Sequence, residues 1–299
     1  MLAPNTRGAR FLMCRPEHFA VSYAINPWMD PQSWARDARA AAAARAEWAR
    51  LHRKLIALGA TVEHVTPAPA LPDLVFTANA AVVLDRRVLL ARFRHPERRR
   101  EEPHFAAAFR ALQARGLVDC VRTLPQNLVL EGAGDCVWDE TRTLFWMGYG
   151  PRSDAAARDA VADMYGRDVL ALELADLRFY HMDTALVPLP GGEVMYLPEA
   201  FTAAGLTAIR DRVAADARIE LGIADGCRLA ANAVCLNGSL VMSACSGRLR
   251  AELAERGYRV VATPLPSFLR SGGSAFCLTL RLDRQSVPAA AALEHAAVA

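Results

Sequence analysis

Lysine is almost missing from this chain: Lys54 is the only one, so the 35 basic residues are otherwise all arginine, and with 32 acidic residues they leave a formal net charge of +3. Positive charge this small, scattered among acids, argues against a nucleic-acid face or an anionic-membrane face. Cys-x-x-Cys pairs are missing as well. The seven cysteines (Cys14, Cys120, Cys136, Cys227, Cys235, Cys245 and Cys277) are odd in number, and the arginine-bearing stretch MLAPNTRGARF has no apolar centre of a secretory signal. The expectation is a reducing, cytoplasmic setting without a structural zinc. No run of about 18 uncharged apolar residues occurs, so no membrane span is expected. The glycines of EGAGD and RSGGS fit neither a dinucleotide-binding nor a phosphate-loop spacing, which removes the usual nucleotide cofactors.

What the chain does have is apolar residues, 53% of the total against 22% charged, with a mean hydropathy of +0.10. That composition builds a packed core, and 299 residues leave room for one domain or two. An internal repeat is more informative than length. The segments NAAVVLDRRVLLARF (79–93), GDCVWDETRTLFWMGYG (134–150), MDTALVPLPGGEVMYLP (182–198) and NAVCLNGSLVMSA (232–244) each open near an Asn or Asp and run through an apolar strand, a polar or glycine turn and a second apolar strand. Their opening polar residues are Asn79, Asp135, Asp183 and Asn232, about 50 residues apart.

Helical stripes alternate with these hairpins. Trp34, Ala38, Ala41, Trp48, Leu51, Leu55 and Leu58 predict one long helix stopped by Gly59, and Phe105, Phe109 and Leu112 predict another ending before Gly116. Ser153 reads as the N-cap of a helix running to about Tyr165, and Gly257 closes a helix over 248–256. Each helix then feeds a strand: TVEHV (61–65), CVRTL (120–124), VLALEL (169–174) and RVVATPL (259–265). The unit is hairpin, helix, strand. AFCLTLRL (275–282) and RFLMC (10–14) together supply a fifth copy, which would close the units into a ring in which each shields its neighbour. This organisation predicts one α/β domain over 1–282, with polar hairpin starts converging at its centre and an alanine-rich helix or frayed tail over 283–299.

Several residues at those starts have the chemistry of a site. Cys277, in RSGGSAFC, is either a nucleophile at a strand end or one more buried thiol. His181 and Asp183 in FYHMDT are two apart, which in an extended segment turns both to one face; either one also suits a structural role. Glu131 and Asp135 in LEGAGD flank glycines at the mouth of the 134–150 hairpin, where a turn cap is the plain alternative. Asn79 and Asp73 in PDLVFTANAA carry the same ambiguity, and Arg98 in HPERRREE is either solvated or a clamp for a substrate carboxylate.

FLMCRPEHF, YAINPWM, PDLVFTANAA, LEGAGD, FYHMDT and SGGSAFCLTLRL occur in an order, and over a span, that resembles the guanidino-group-modifying (pentein) superfamily, and among its members most resembles the arginine dihydrolase-like and dimethylarginine dimethylaminohydrolase-like proteins. The resemblance implies a five-bladed α/β propeller with a pseudo-fivefold repeat. It also implies a metal-independent cysteine hydrolase with no cofactor, whose partner is a small guanidino substrate. By the same resemblance Cys277 is the nucleophile, His181 the general acid and base, and Glu131 the carboxylate that orients His181. Asp183 would bind the guanidinium, Asn26 and Asn79 would lie in the substrate pocket, Arg98 would hold the substrate carboxylate, and Asp135 would support the hairpin. These residue types suit the chemistry, since a planar, resonance-stabilised cation needs a strong nucleophile, fixed carboxylates and an acid for departing ammonia. Asn79 stands where deiminases and dimethylarginine hydrolases of the superfamily usually carry aspartate. A neutral amide both donates and accepts, which would let a citrulline-like product be attacked again to give ornithine, carbon dioxide and two ammonia molecules. The alternatives are one-step hydrolysis of dimethylarginine or arginine to citrulline, and a non-catalytic pentein-like binding protein.

Overall fold

In the computed structural model, which describes residues 8–286, the apolar hairpins form five separate three-stranded sheets, each with the same wiring. In the second sheet Ala81–Leu84 pairs antiparallel with Arg87–Leu90, the helix Glu102–Ala114 follows, and Cys120–Thr123 returns parallel to the second strand. The third sheet repeats this with Cys136–Asp139, Leu144–Tyr149, the helix Ala157–Tyr165 and Asp168–Glu173. The fourth uses Leu186–Pro188, Val194–Tyr196, the helix Ala203–Arg212 and Arg218–Glu220. The fifth uses Val234–Leu236, Ser239–Met242, the helix Gly247–Glu255 and Arg259–Ala262. The first joins the two ends of the chain: Arg10–Cys14 pairs antiparallel with Leu280–Arg281 and parallel with Thr61–Val65, which follows the helix Ala40–Ala57.

Burial explains the strand sequences. Middle strands such as Ser239–Met242 and Val194–Tyr196 are buried along their whole length and read as continuous apolar runs, whereas third strands such as Arg259–Ala262 face solvent and carry charge. Two-residue turns close two of the hairpins. Asn237 and Gly238 (φ 49° and 71°), like Asp85 and Arg86 (φ 52° and 59°), occupy the left-handed region that a primed turn needs at both central positions. Phe105, Phe109 and Leu112 bury their stripe against the second sheet, and Trp48, Leu51 and Leu55 bury theirs in the core around the first.

Some local expectations fail. The long first helix is two: Pro31–Ala35 carries Trp34, and Ala40–Ala57 begins anew, with Ala38 and Ala41 exposed and Ala40 and Ala44 buried in their place. Asp37 causes the break, accepting the Arg39 N–H on its side chain (3.1 Å) and the Ala40 N–H on its carbonyl (3.0 Å). Ser153 caps nothing, because the helix starts at Ala157 and the Ser153 side chain turns inward. AFCLTLRL is strand only at Leu280–Arg281, and Cys277 lies in the preceding turn. His181 is extended, but Asp183 belongs to the one-turn helix Met182–Ala185, so their alternation on a strand does not apply. The expected alanine-rich tail lies, from 287 onward, outside the described residues. Among the described residues no helix is long and apolar enough to cross a membrane.

Candidate active site

A single helical turn precedes the second, third and fourth hairpins: 77–80, Gly132–Asp135 and Met182–Ala185. A further turn carrying Asn232 precedes the fifth hairpin, and the turn over 275–278 precedes the closing strand. These knots bring the polar residues together, and Asn79, Asp135, Asp183, Asn232 and Cys277 are all at most 3% exposed. A narrow cavity opens beside them, with Cys277, His181, Asn79, Arg98 and Asn26 in its wall.

Cys277 is held on both sides. Its thiol donates to Asp183 Oδ2 at 3.2 Å, the Asn232 amide donates to its sulfur at 3.0 Å, and its own N–H donates to Asn232 Oδ1 at 3.1 Å. Burial and the Asp183 charge push the thiol well above its usual range. Asp183 is pushed up to about 7, again by burial, with the Cys277 and Asn232 hydrogen bonds acting the other way. Among the described residues its Oδ1 is buried without a partner, an acceptor left open for a donor.

His181 and Glu131 form the second pair, with Nε2 and Oε2 2.8 Å apart. Burial would raise the Glu131 carboxyl, but Arg152 (Nη1 to Oε2 3.0 Å) and His181 outweigh it and hold the group ionised, well below the ordinary range. Burial lowers His181 to about 4 against the pull of Glu131, so the resting imidazole is neutral. Asp135 lies behind this pair. It accepts from Ser153 Oγ (2.6 Å) and from the Met182 N–H (3.1 Å), which ties the third hairpin to the His181 turn, and burial keeps its carboxyl raised well above normal.

Arg98, which the charged run allowed to be solvated, is 3% exposed and faces Glu101 through two hydrogen bonds (3.0 and 2.8 Å). Its Nη1 donates to Asn79 Oδ1 at 2.9 Å. Asn26, half-buried, bonds Ser271 O at 3.0 Å and its neighbour Trp28 N–H at 2.9 Å, pinning the loop over the cavity. All seven singled-out residues therefore meet in one region, five of them on the cavity wall and Glu131 and Asp183 just behind it.

Other groups escaped the sequence reading as site residues. Asn232 had a signal, its place in the series with Asn79, Asp135 and Asp183. Arg152 had none locally; it follows the third hairpin, lines the cavity, and lies with its guanidinium 4.5 Å from the Tyr180 ring centre. Asp73, which the sequence left open between a turn cap and a site residue, lines the same cavity, with one oxygen bonded by Tyr23 (2.8 Å) and the other buried without a partner among the described residues. Five nearly fully buried carboxyl groups (Asp73, Glu101, Glu131, Asp135 and Asp183) thus surround two buried arginines, and this surplus of acid suits a cationic ligand.

A family model described as "N,N dimethylarginine dimethylhydrolase, eukaryotic" matches residues 15–284. The chain is 41% identical over 279 residues to the bifunctional arginine dihydrolase/ornithine cyclodeaminase ArgZ of Synechocystis, covering 93% of this chain but only 38% of that protein. It is 36% identical over 282 residues to the N(G),N(G)-dimethylarginine dimethylaminohydrolase of Mycobacterium tuberculosis, covering 93% of this chain and 87% of that one. The crystal structure of the N-terminal domain of ArgZ, as a cysteine-to-serine variant bound to substrate, superposes with a TM-score of 0.87 at 40% identity, covering 93% of this chain and 100% of that one. A family model spanning nearly the whole chain and a relative matched over most of both lengths lead to one conclusion: the chain belongs to the dimethylarginine dimethylaminohydrolase family of guanidino-group-modifying enzymes.

Proposed function

We propose that this chain hydrolyses the guanidino carbon of arginine twice, giving ornithine, carbon dioxide and two ammonia molecules, through a covalent intermediate on Cys277. The observation that carries the reading is the Cys277 to Asp183 hydrogen bond (3.2 Å) beside the His181 to Glu131 pair (2.8 Å) at one acid-rich cavity. The five sheets, with the first joining both ends of the chain, are read as the blades of a five-bladed α/β propeller whose centre holds this cavity. The unpaired cysteines fit the cytoplasmic setting that a reduced nucleophile needs.

The protons are arranged for a substrate-driven start. In the empty site the thiol is protonated and His181 neutral, and a bound guanidinium pairs with Asp183 and lowers the thiol pKa by its charge. The thiol proton passes to His181 as the sulfur bonds to the guanidino carbon, and the imidazolium, stabilised by Glu131, returns that proton to the departing ammonia. Water, deprotonated by His181, then attacks the thiouronium carbon, and the carbon–sulfur bond breaks to leave the ureido product. In a second round the Cys277 sulfur bonds to the ureido carbon and expels the second ammonia, water breaks the resulting carbon–sulfur bond to free the thiol and a carbamic acid, and that acid loses carbon dioxide to give ornithine. Asn79, neutral and able to donate and accept, is the group that keeps the ureido compound in place. Arg98 and Arg152 suit the α-carboxylate and Asp73 the α-ammonium of an amino-acid substrate.

ArgZ and AgrE, named as bifunctional arginine dihydrolase/ornithine cyclodeaminases, are the relatives behind the two-step reading, which this chain would perform over 38% of their length. One-step hydrolysis of dimethylarginine is favoured by the matching family model and by the Mycobacterium relative. Incubation with arginine, dimethylarginine and succinylarginine, with products followed by mass spectrometry, separates the two. Ornithine from arginine is expected, with at least a thousandfold loss of turnover in Cys277→Ala and none on adding EDTA. Citrulline as the sole end product would replace the first reading with the second.

A further inference from the structure

Glu101 is completely buried and is not part of the cavity wall, yet its two oxygens take the Nε and Nη2 donors of Arg98. That leaves Nη1, which donates to Asn79 Oδ1 at 2.9 Å. On its other side the same amide donates from Nδ2 to the Glu131 carbonyl at 3.3 Å. A flipped amide would set N–H against N–H at Arg98 and oxygen against oxygen at Glu131, so the network admits one orientation. Gly134 closes the cage, because a Cβ there would overlap the Asn79 side-chain nitrogen.

We propose that Glu101 is a positioning residue which, through Arg98, locks the Asn79 amide and so sets how well the site accepts a neutral ureido group relative to a cationic guanidinium. The proposal deepens the two-step reading and rests on it. A guanidinium offers only donors and is held by its charge among buried carboxylates, so it tolerates some freedom in Asn79. A ureido group carries a carbonyl in place of one donor set and has no charge, so its hold depends on a donor hydrogen and an acceptor lone pair at fixed places. The lock therefore weighs on the second hydrolysis more than on the first.

Glu101→Asp tests this, because it keeps the charge that balances Arg98 while shortening the arm that grips it. The expected result is a roughly tenfold fall in kcat/KM for citrulline with arginine consumption within about threefold of wild type, so that citrulline accumulates. Equal losses for both substrates in a variant with wild-type melting would overturn the proposal. Glu101→Gln is the charge control, expected to raise KM for arginine through the unbalanced Arg98. A second readout does not depend on turnover: the Asn79 side-chain amide signals in a 15N-asparagine-labelled sample, assigned with Asn79→Ser, should shift or broaden in Glu101→Asp. Unmoved signals would reject the lock even if the fold were weakened. A wild type that makes no ornithine would instead reject the two-step reading, and the amide signals would still decide whether Glu101 holds Asn79.

Discussion

Burial governs the acid-base chemistry of Cys277, and the Asp183 charge adds to it, so the resting thiol keeps its proton through neutral pH. Alkylation by iodoacetamide in the absence of substrate should accordingly be slow at pH 7 and still be rising above pH 9. Asp183→Asn removes the anion that holds the proton on sulfur, so the rate-against-pH curve should move to lower pH. A curve that stays in place, or moves up, would mean that Asp183 does not act on the thiol. The same residues tilt stability with pH. His181, lowered from 6.5 to about 4, contributes stability that is present above pH 6.5 and lost as pH falls toward 4. Asp183, raised from 3.8 to about 7, contributes stability that is present below pH 3.8 and lost as pH rises toward 7. Their slopes oppose each other over most of that window, so His181→Gln should leave a protein whose stability falls more steeply between pH 4 and 6.5 as pH rises.

At the scale of elements, the site is made by short turns set just before strands, and close packing makes them intolerant of added atoms. Gly273 has an ordinary backbone conformation, but a Cβ there would run into the Phe76 ring, which packs edge-on against Phe19 and Phe268. Gly273→Ala should therefore shift the turn that leads to Cys277, costing about 1–3 kcal/mol of stability and more than tenfold in kcat/KM. Calorimetry and steady-state kinetics on one preparation check both, and unchanged values would show that the Phe76 side yields freely. Glu47, on the helix Ala40–Ala57, clamps the start of the same segment through the Ser267 N–H (2.9 Å) and hydroxyl (2.8 Å), a buried polar contact that ties the outer helix to the site. Hairpins and helix stripes were legible because apolar periodicity records burial. Ser153 was misread because a serine before a helix has the same local signature whether it caps the helix or turns inward to Asp135.

For the whole molecule, each sheet has only three strands, and the first gains its third strand only through the pairing of Phe11 with Arg281 and Leu12 with Leu280, which joins the two ends of the chain. Such units leave apolar faces bare when alone, so they should melt together. Urea unfolding followed by circular dichroism and by tryptophan fluorescence should give coincident transitions, both in the wild type and in a variant with Trp28, Trp34 and Trp48 all changed to Phe, where the third-sheet residues Trp138 and Trp146 are the two tryptophans left. Leu280→Ala, which empties a buried position at the closure, should cost about 2–4 kcal/mol of unfolding free energy and lower the urea midpoint of both probes equally. Separate transitions would show that the sheets are independent.

The sequence alone determined the repeat, the strand and helix types, and the cluster of polar hairpin starts, because alternating burial leaves a periodic trace in residue choice and glycine marks turns. It also named Cys277, His181, Glu131, Asp183, Asn79, Asn26 and Arg98 as candidates through their family-like segments. Tertiary structure decided the rest. Whether Arg98, with Glu101 only three residues along, is solvated or enclosed depends on Asn79 and the Asp73 carbonyl meeting it from another segment, and the same holds for Arg152 over Tyr180, Asp73 beside Tyr23, and Asn232 on the sulfur of Cys277. Burial, charge balance and hydrogen-bond direction are properties of groups far apart in the chain, and no local pattern carries them.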